Sequence, residues 1–488
     1  MKFFPAILFL ISNLMCSAQG QDKIWVMGYD CCVSNWHGMN WDFNSGSLVI
    51  DTVTRFMNID VTNGEISDVN GNLLFYTNGI YIANALDDTM LNGSGLNPAD
   101  FTTAHAPYGL TLPQGNLVVP FPDDSTKYYL FHETIDDRFS SYASFYLYYS
   151  IIDMALDSGR GGVIQKNTVL FNDSLVPGRI TACRHANGRD WWVVTQRYGY
   201  GGILEYLITP SGISGPWNFN STYHEIGVGQ CLFSPDGLKF AYYEAYNDLD
   251  IFDFDRCTGS FSNLIHVDIN DGASLGGAAF SRSGRYLYLT SMDYIYQFDM
   301  LASNIPASQL TVAVWDHYYS HGLAADFYLS YLAPDDKIYI NCGNSTTEMH
   351  VINYPDSAGV ACDVCQHCVY LPAFNGGTIP NFPNYFLGAE GGTLCDSLPT
   401  DVKPFVERPM ETVLFPNPVR NLLYITINSS NWNEIVVFNI FGQQISVPIH
   451  EIKNGEYEEI NTSSLTPGVY FVELKSGIGK VVKRFVKE

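Results

Sequence analysis

Dense apolar runs alternate with tight polar turns along most of this chain, and one unit keeps returning. A turn opens it and an aromatic or β-branched run follows. Asn70-Gly71-Asn72 leads into Leu73-Leu74-Phe75-Tyr76, Asp124-Ser125-Thr126-Lys127 into Tyr128-Tyr129-Leu130-Phe131, and Asn187-Gly188-Arg189-Asp190 into Trp191-Trp192-Val193-Val194. Ser234-Pro235-Asp236-Gly237, Ser281-Arg282-Ser283-Gly284 and Ala333-Pro334-Asp335-Asp336 open three further copies, and successive copies lie about 47 to 63 residues apart. Pro presets φ at the second turn position, while Asp-Gly and Asn-Gly accept a sharp reversal, so each copy reads as a β-hairpin. A period of roughly 40 to 50 residues built from such hairpins is the signature of propeller blades. Small residues before the turns, as in Gly276-Gly277-Ala278-Ala279 and Gly322-Leu323-Ala324-Ala325, suit an innermost strand crowded around a channel.

Six copies and the strand-rich stretch Lys23 to Asp51 predict an all-β body, a seven-bladed β-propeller over 19–395. Closure is expected from pairing of Ile24-Trp25-Val26-Met27 with strands after Leu323, which would remove exposed sheet edges. A β-sandwich is disfavoured because it does not repeat one turn at this period. Asp396 to Pro409 reads as a linker, and 410–488 as a small C-terminal β-sandwich with Pro467-Gly468 reversing into an apolar strand.

The composition fits broad buried sheets, with 14% aromatic and only 15% charged residues. Nearly all of the net charge of −25 falls before residue 400. An acidic body without clustered Lys and Arg excludes nucleic acid as a partner, and permits Ca²⁺ or carbohydrate. At the N-terminus, Lys2, the apolar stretch Phe3 to Leu14 and the small residues before Gln19 read as a signal peptide over 1–18, cleaved after Ala18. A lipoprotein reading at Cys16 is weakened by the bulky Leu14-Met15 before it. No other stretch reaches the ~18 apolar residues needed for a transmembrane helix.

Eleven cysteines become ten when Cys16 leaves with the signal, an even count that points to disulfides in an exported chain. Cys362-x-x-Cys365-x-x-Cys368, with His367 inside and Cys395 beyond, has zinc-ligand spacing. Thiolate ligands need a reducing compartment, so Cys362, Cys365, Cys368 and Cys395 are expected to form disulfides instead, and no metal is assigned. The adjacent Cys31 and Cys32 each need another partner, and Cys183 and Cys231 either face each other or are buried thiols.

Catalytic signatures are absent from the sequence pattern. His105, His185, Glu225, His317 and His321 are the candidate ligand-binding residues, and His105, His132-Glu133, His185, His224-Glu225 and Glu244 could converge at a channel mouth as acid–base groups. His317 and His321 have an i, i+4 spacing that converges only on a helix, and aromatic neighbours place them on a loop or strand. Asp248-x-Asp250 and Asp253-x-Asp255 offer oxygens for Ca²⁺, the one cofactor left open, although Asp253 and Asp255 read as the exposed face of a strand. Tyr198-Gly199-Tyr200 and Tyr318-Tyr319 could stack on sugar rings.

Leu414-Phe415-Pro416-Asn417-Pro418, Asn439-Ile440-Phe441-Gly442-Gln443, Leu465 to Val472 with Gly468, and Lys483-Arg484-Phe485-Val486-Lys487 occur in an order that resembles the type A sorting domain of the type IX secretion system. Asp68 to Gly79, Met90 to Leu96, Tyr148 to Met154, Trp191 to Thr195 and Pro380 to Gly388 resemble landmarks of exported propeller proteins that carry such domains. The resemblance implies recognition by the type IX translocon, delivery to the outer cell surface, and attachment to surface lipopolysaccharide. The cargo is then expected to be a non-enzymatic binding or adhesion module for glycans or a surface protein. The alternative is a carbohydrate- or lactone-active hydrolase or lyase with its site at the channel mouth, and a third reading is a structural part of the secretion apparatus.

Overall fold

The computed structural model describes residues 20–29, 38–136, 143–199, 202–219, 227–396, 414–426, 432–440, 442–451, 457–476 and 479–488. The expected signal peptide, the linker beyond Asp396, Cys31, Cys32, Tyr200, His224 and Glu225 lie outside them. The chain divides into two compact units, Met1–Leu398 and Pro399–Glu488.

The first unit is almost entirely β-structure. Four-stranded antiparallel meanders follow one another along the chain, for example Gly229–Phe233, Lys239–Glu244, Asp248–Asp255 and Ser260–Val267. Each of the six recurring turns joins the first to the second strand of one meander. The reason is local: Gly71, Gly188, Gly237 and Gly284 adopt positive φ there, as do Asp123 and Asp336. Only Gly takes that conformation without steric cost, and Asp tolerates it. In one of them Ser234 Oγ accepts from Lys239 N at 3.0 Å and Gly237 N donates to Ser234 O at 2.8 Å, closing the reversal.

Two neighbouring meanders are joined into one eight-stranded sheet by a single parallel pairing of Gly162 with Leu91. The first strand of each meander lies against the first strand of the next. Close approach requires small residues, and a Cβ at Gly277 would sit 2.5 Å from Gln230 Oε1. Gly322 to Ala324, by contrast, belong to a side hairpin of Tyr319–Ser320 with Leu323–Ala324, so that small-residue stretch is not an inner strand.

The expected closure differs. Ile24–Met27 pairs with Gly38–Asp42 and heads its own three-stranded sheet with Val49–Val53. Aromatic packing joins it to the last meander, with the Trp25 ring 5.6 Å from Tyr331 and 6.0 Å from Tyr339, both edge-on, and Tyr29 Oη is hydrogen-bonded to Ser345 Oγ. Edge-on aromatic pairs of this kind contribute about 0.5–1.5 kcal/mol each beyond the area they bury.

After the last strand, Val364–Asn375, the chain turns inward across the first strands. Asn381 Nδ2 donates to Asn116 O at 2.9 Å and Ile180 O at 2.8 Å, and Gln114 Nε2 donates to Asn381 Oδ1 at 3.1 Å. Tyr385 Oη donates to Val118 O at 2.8 Å, and Glu390 N to Ala186 O at 2.8 Å. This segment leaves a cavity of about 80 Å³ lined by Gln114, Gln230, Cys231 and Asn381. A Cys257–Cys395 disulfide then pins the segment across a sequence separation of 138. Crosslinks that close long loops restrict the unfolded chain most. Replacing both cysteines by alanine is expected to lower stability by about 2–4 kcal/mol, read as a shift in the urea midpoint.

The second unit has two four-stranded antiparallel sheets sharing one apolar core that includes Val419, Leu423, Ile460, Val472 and Phe485. Asn417 ties its two ends together: Val486 N donates to Asn417 Oδ1 at 2.8 Å, and Asn417 Nδ2 to Arg484 O at 3.2 Å. Pro416, Asn417, Pro418, Gly442, Gly468 and Arg484 are exposed, and Lys483 is half-buried.

Candidate functional site

The candidate site forms where the strands Asp248–Asp255 and Ser260–Val267 end together. Leu249 pairs with Val267 and Asp250 with His266, so alternation puts Asp250 and His266 on one face. A register shift between Ile251 and Asp253 makes this pairing possible, with Asn263 at φ 52° on the opposite strand. One extra residue in a strand re-aims every side chain beyond it.

Asp250 is buried, and its Oδ1 lies 2.7 Å from His266 Nδ1. That bond leaves Nε2 pointing outward, 3.3 Å from Asp268 Oδ1. Asp248, at the head of its strand with φ 63°, accepts from Asn270 N at 3.3 Å. Ligand atoms of Asp248, His266 and Asp268 all lie within 4.8 Å of one another. Partial burial works against an imidazolium at His266, yet the hydrogen bond to Asp250 and the charges of Asp250, Asp268 and Asp248 hold its pKa above the usual histidine range.

Two carboxylates and an imidazole suit a divalent cation such as Zn²⁺ or Mn²⁺. A buried carboxylate on the far nitrogen of the imidazole is the arrangement that fixes the tautomer and orientation of metal-binding histidines. Three protein donors leave positions open for solvent or substrate. The donor set therefore fits such an ion.

The residues singled out in the sequence lie elsewhere. His105 caps the short helix Asp100–Ala104, with Nδ1 2.8 Å from Phe101 O and its ring stacked on Phe101 at 3.9 Å. His185 accepts from Asn187 N at 3.0 Å and lies 3.1 Å from Cys257 O; burial lowers its pKa. His317 packs on Trp315 in a loop, and His321 sits in the turn of the side hairpin, 3.2 Å from Thr347 Oγ1. His132 is buried between Asn97 and Ser150, and burial pushes its pKa down to about 3. Glu133 is buried too, and its pKa is pushed up to about 8. Among the described residues none of these joins a metal-ligand group.

The cysteine expectation is also revised. Cys365 bonds Cys368 and Cys395 bonds Cys257, while Cys362 is a free thiol. Cys362 ends the short helical turn Gly359–Cys362 and packs with Ala279, Tyr288 and Ile338 in an apolar cluster, away from the surface pair. Cys183 and Cys231 are buried free thiols.

Residues 413–488 match the profile of the secretion system C-terminal sorting domain. The chain carries a type IX sorting domain. It marks the β-rich, propeller-like body for export through the type IX translocon to the outer cell surface. Among the described residues no helix is long and apolar enough to cross a membrane. No curated protein matches the chain. Among solved structures, a protein from Lactobacillus plantarum is 12% identical, covering 73% of this chain and 98% of its own, with a TM-score of 0.41. A gluconolactonase from Xanthomonas campestris is 11% identical, covering 65% and 91%, with a TM-score of 0.32. PorZ, a surface component of the type IX secretion system of Porphyromonas gingivalis, is 9% identical, covering 95% and 70%, with a TM-score of 0.30.

The expectation of a non-enzymatic binding or adhesion module is overturned by the Asp248–His266–Asp268 group. Three convergent donors, with a buried carboxylate on the far nitrogen of the histidine, make a candidate metal-ligand group, and such groups are characteristic of reactive centres more than of passive binding faces.

Proposed function

We propose that the exported body is a metal-dependent hydrolase acting on a lactone or carbohydrate ester. The convergence of Asp248, His266 and Asp268 within 4.8 Å carries the reading. Asp248, His266 and Asp268 would hold a divalent cation, which when bound would supply Lewis acidity toward a substrate carbonyl. Asp250 keeps the proton on His266 Nδ1 and so leaves Nε2 as a donor atom. Asp248 and Asp268 supply the negative charge that offsets the cation, and the exposure of Asp268 leaves the site open to an extended saccharide.

On this reading residues 19–395 form a seven-bladed propeller. Its blades are the three-stranded sheet and the successive meanders, and the site lies at the end of outer strands instead of the channel mouth. Residues 1–18 act as signal peptide and 396–409 as linker. The β-sandwich of 410–488 is recognised through Pro416, Asn417, Pro418, Gly442, Gly468, Lys483 and Arg484, and is removed or exchanged as the cargo is fixed to surface lipopolysaccharide.

The test is calorimetric titration of the full chain with Zn²⁺ and Mn²⁺, alongside hydrolysis of sugar lactones and acetylated saccharides with and without chelator. Stoichiometric binding with chelator-sensitive turnover is expected. Absence of cation binding, or turnover indifferent to chelator, would falsify the proposal.

A further inference from the structure

The outer strand Val364–Asn375 carries a disulfide that the hydrolytic reading does not use. Val351 pairs with Cys365 and Met349 with Val369, so Gln366, His367 and Cys368 bulge out opposite His350. Cys368 is exposed and Cys365 half-buried. The bond between them spans a sequence separation of 3.

The bulge is held by other means. Gln366 Nε2 donates to Val314 O at 2.8 Å, and Gln366 Oε1 accepts from Asp316 N at 3.2 Å. His367 N donates to Nδ1 of the buried His350 at 3.0 Å, while His367 Nε2 lies 2.9 Å from Asp316 Oδ2. The His367 ring also stacks on Tyr318 at 4.2 Å. Because Nδ1 of His350 is an acceptor, its proton sits on Nε2, which faces Cys342 Sγ at 3.4 Å. That imidazole therefore serves as an anchor for the bulge, and Cys342 has no base there.

A ring this small removes little freedom from the unfolded chain, whereas Cys257–Cys395 closes a long loop. A disulfide that is exposed, closes a short ring and is redundant with the hydrogen bonds around it has the properties of an exchangeable bond. We infer that Cys365–Cys368 is a thiol–disulfide exchange site that oxidises exposed dithiols at the cell surface.

The steps balance with the protein disulfide as oxidant. A substrate thiolate attacks Sγ of Cys368, the more exposed residue of the pair, forming a mixed disulfide and releasing Cys365 as a thiolate. The second substrate thiolate then attacks its own sulfur in the mixed disulfide and releases Cys368. The substrate dithiol becomes a disulfide, and its two protons end on Cys365 and Cys368.

The probe is dithiothreitol, titrated into the full oxidised chain, with alkylation and peptide mass spectrometry reporting each cysteine. Cys365 and Cys368 are expected to open at about tenfold less reductant than Cys257 and Cys395, with the melting temperature unchanged. One cyclic dithiothreitol disulfide should form per chain in that phase. The Cys365→Ser/Cys368→Ser variant should keep the melting temperature and lose the phase. Opening of both disulfides together, or a fall in melting temperature on opening Cys365–Cys368, overturns the inference.

Discussion

Trp25→Ala is expected to destabilise the body by about 3–5 kcal/mol, the range for removing a fully buried aromatic side chain. Trp25 has no exposed surface, stacks on Trp41 at 5.5 Å, and meets Tyr331 and Tyr339 edge-on. Its Nε1 donates to Asp22 O at 3.0 Å, so the same side chain also anchors the turn that precedes its strand. Among the described residues the first sheet makes no ladder with the last meander. Removing the indole therefore opens a cavity at the seam where the two ends of the body meet. Tyr246→Ala, at a position 61% exposed, is the control and should change stability by less than ~0.5 kcal/mol. Urea unfolding of both variants checks the difference. A loss below about 1 kcal/mol for Trp25→Ala would show that the seam is held elsewhere.

That seam also shows what sequence reading reached. Turn chemistry is local, so Ser234-Pro235-Asp236-Gly237 and its relatives announced the reversal between the first two strands of each meander. Closure depends on which distant surfaces meet, and nothing within Ile24 to Met27 encodes pairing as opposed to packing. The landmark Pro380 to Gly388 was visible as a motif. Its role was not, because Asn381 and Tyr385 act on carbonyls more than 200 residues away.

Asp248 and Asp250 read as oxygen donors in the sequence, while nothing local singles out His266 and Asp268. Folding the hairpin back from its Asp255–Ser260 pair without a bulge would set Asp250 opposite Ile265, and His266 would face away. The bulge at Asn263 moves the register by one and brings His266 opposite Asp250. The available signal was the pattern Asp-x-Asp in one strand and His-x-Asp in the next. It becomes meaningful only once the bulge is known.

The same geometry sets the pH dependence of the centre. His266→Ala should weaken Zn²⁺ binding and chelator-sensitive hydrolysis on the order of 100-fold or more, since it removes a donor outright. Asp250→Asn keeps the donors but removes the carboxylate on Nδ1, and is expected to cost roughly 10–100-fold in affinity. Metal and proton compete for the same nitrogen, so binding is lost as pH falls through the pKa of His266. Because Asp250, Asp268 and Asp248 raise that pKa, the loss begins at a higher pH than for an unperturbed histidine near 6.5. Asp250→Asn lowers the pKa, and so should move the binding midpoint to lower pH while reducing affinity on the alkaline plateau. These two shifts run in opposite directions, and a variant that merely loosened the loop would not produce both. NMR titration of the His266 imidazole, with calorimetry of Zn²⁺ across the same pH range, measures them together. An unchanged midpoint in Asp250→Asn would mean that Asp250 does not tune His266, and that its hydrogen bond serves the fold alone.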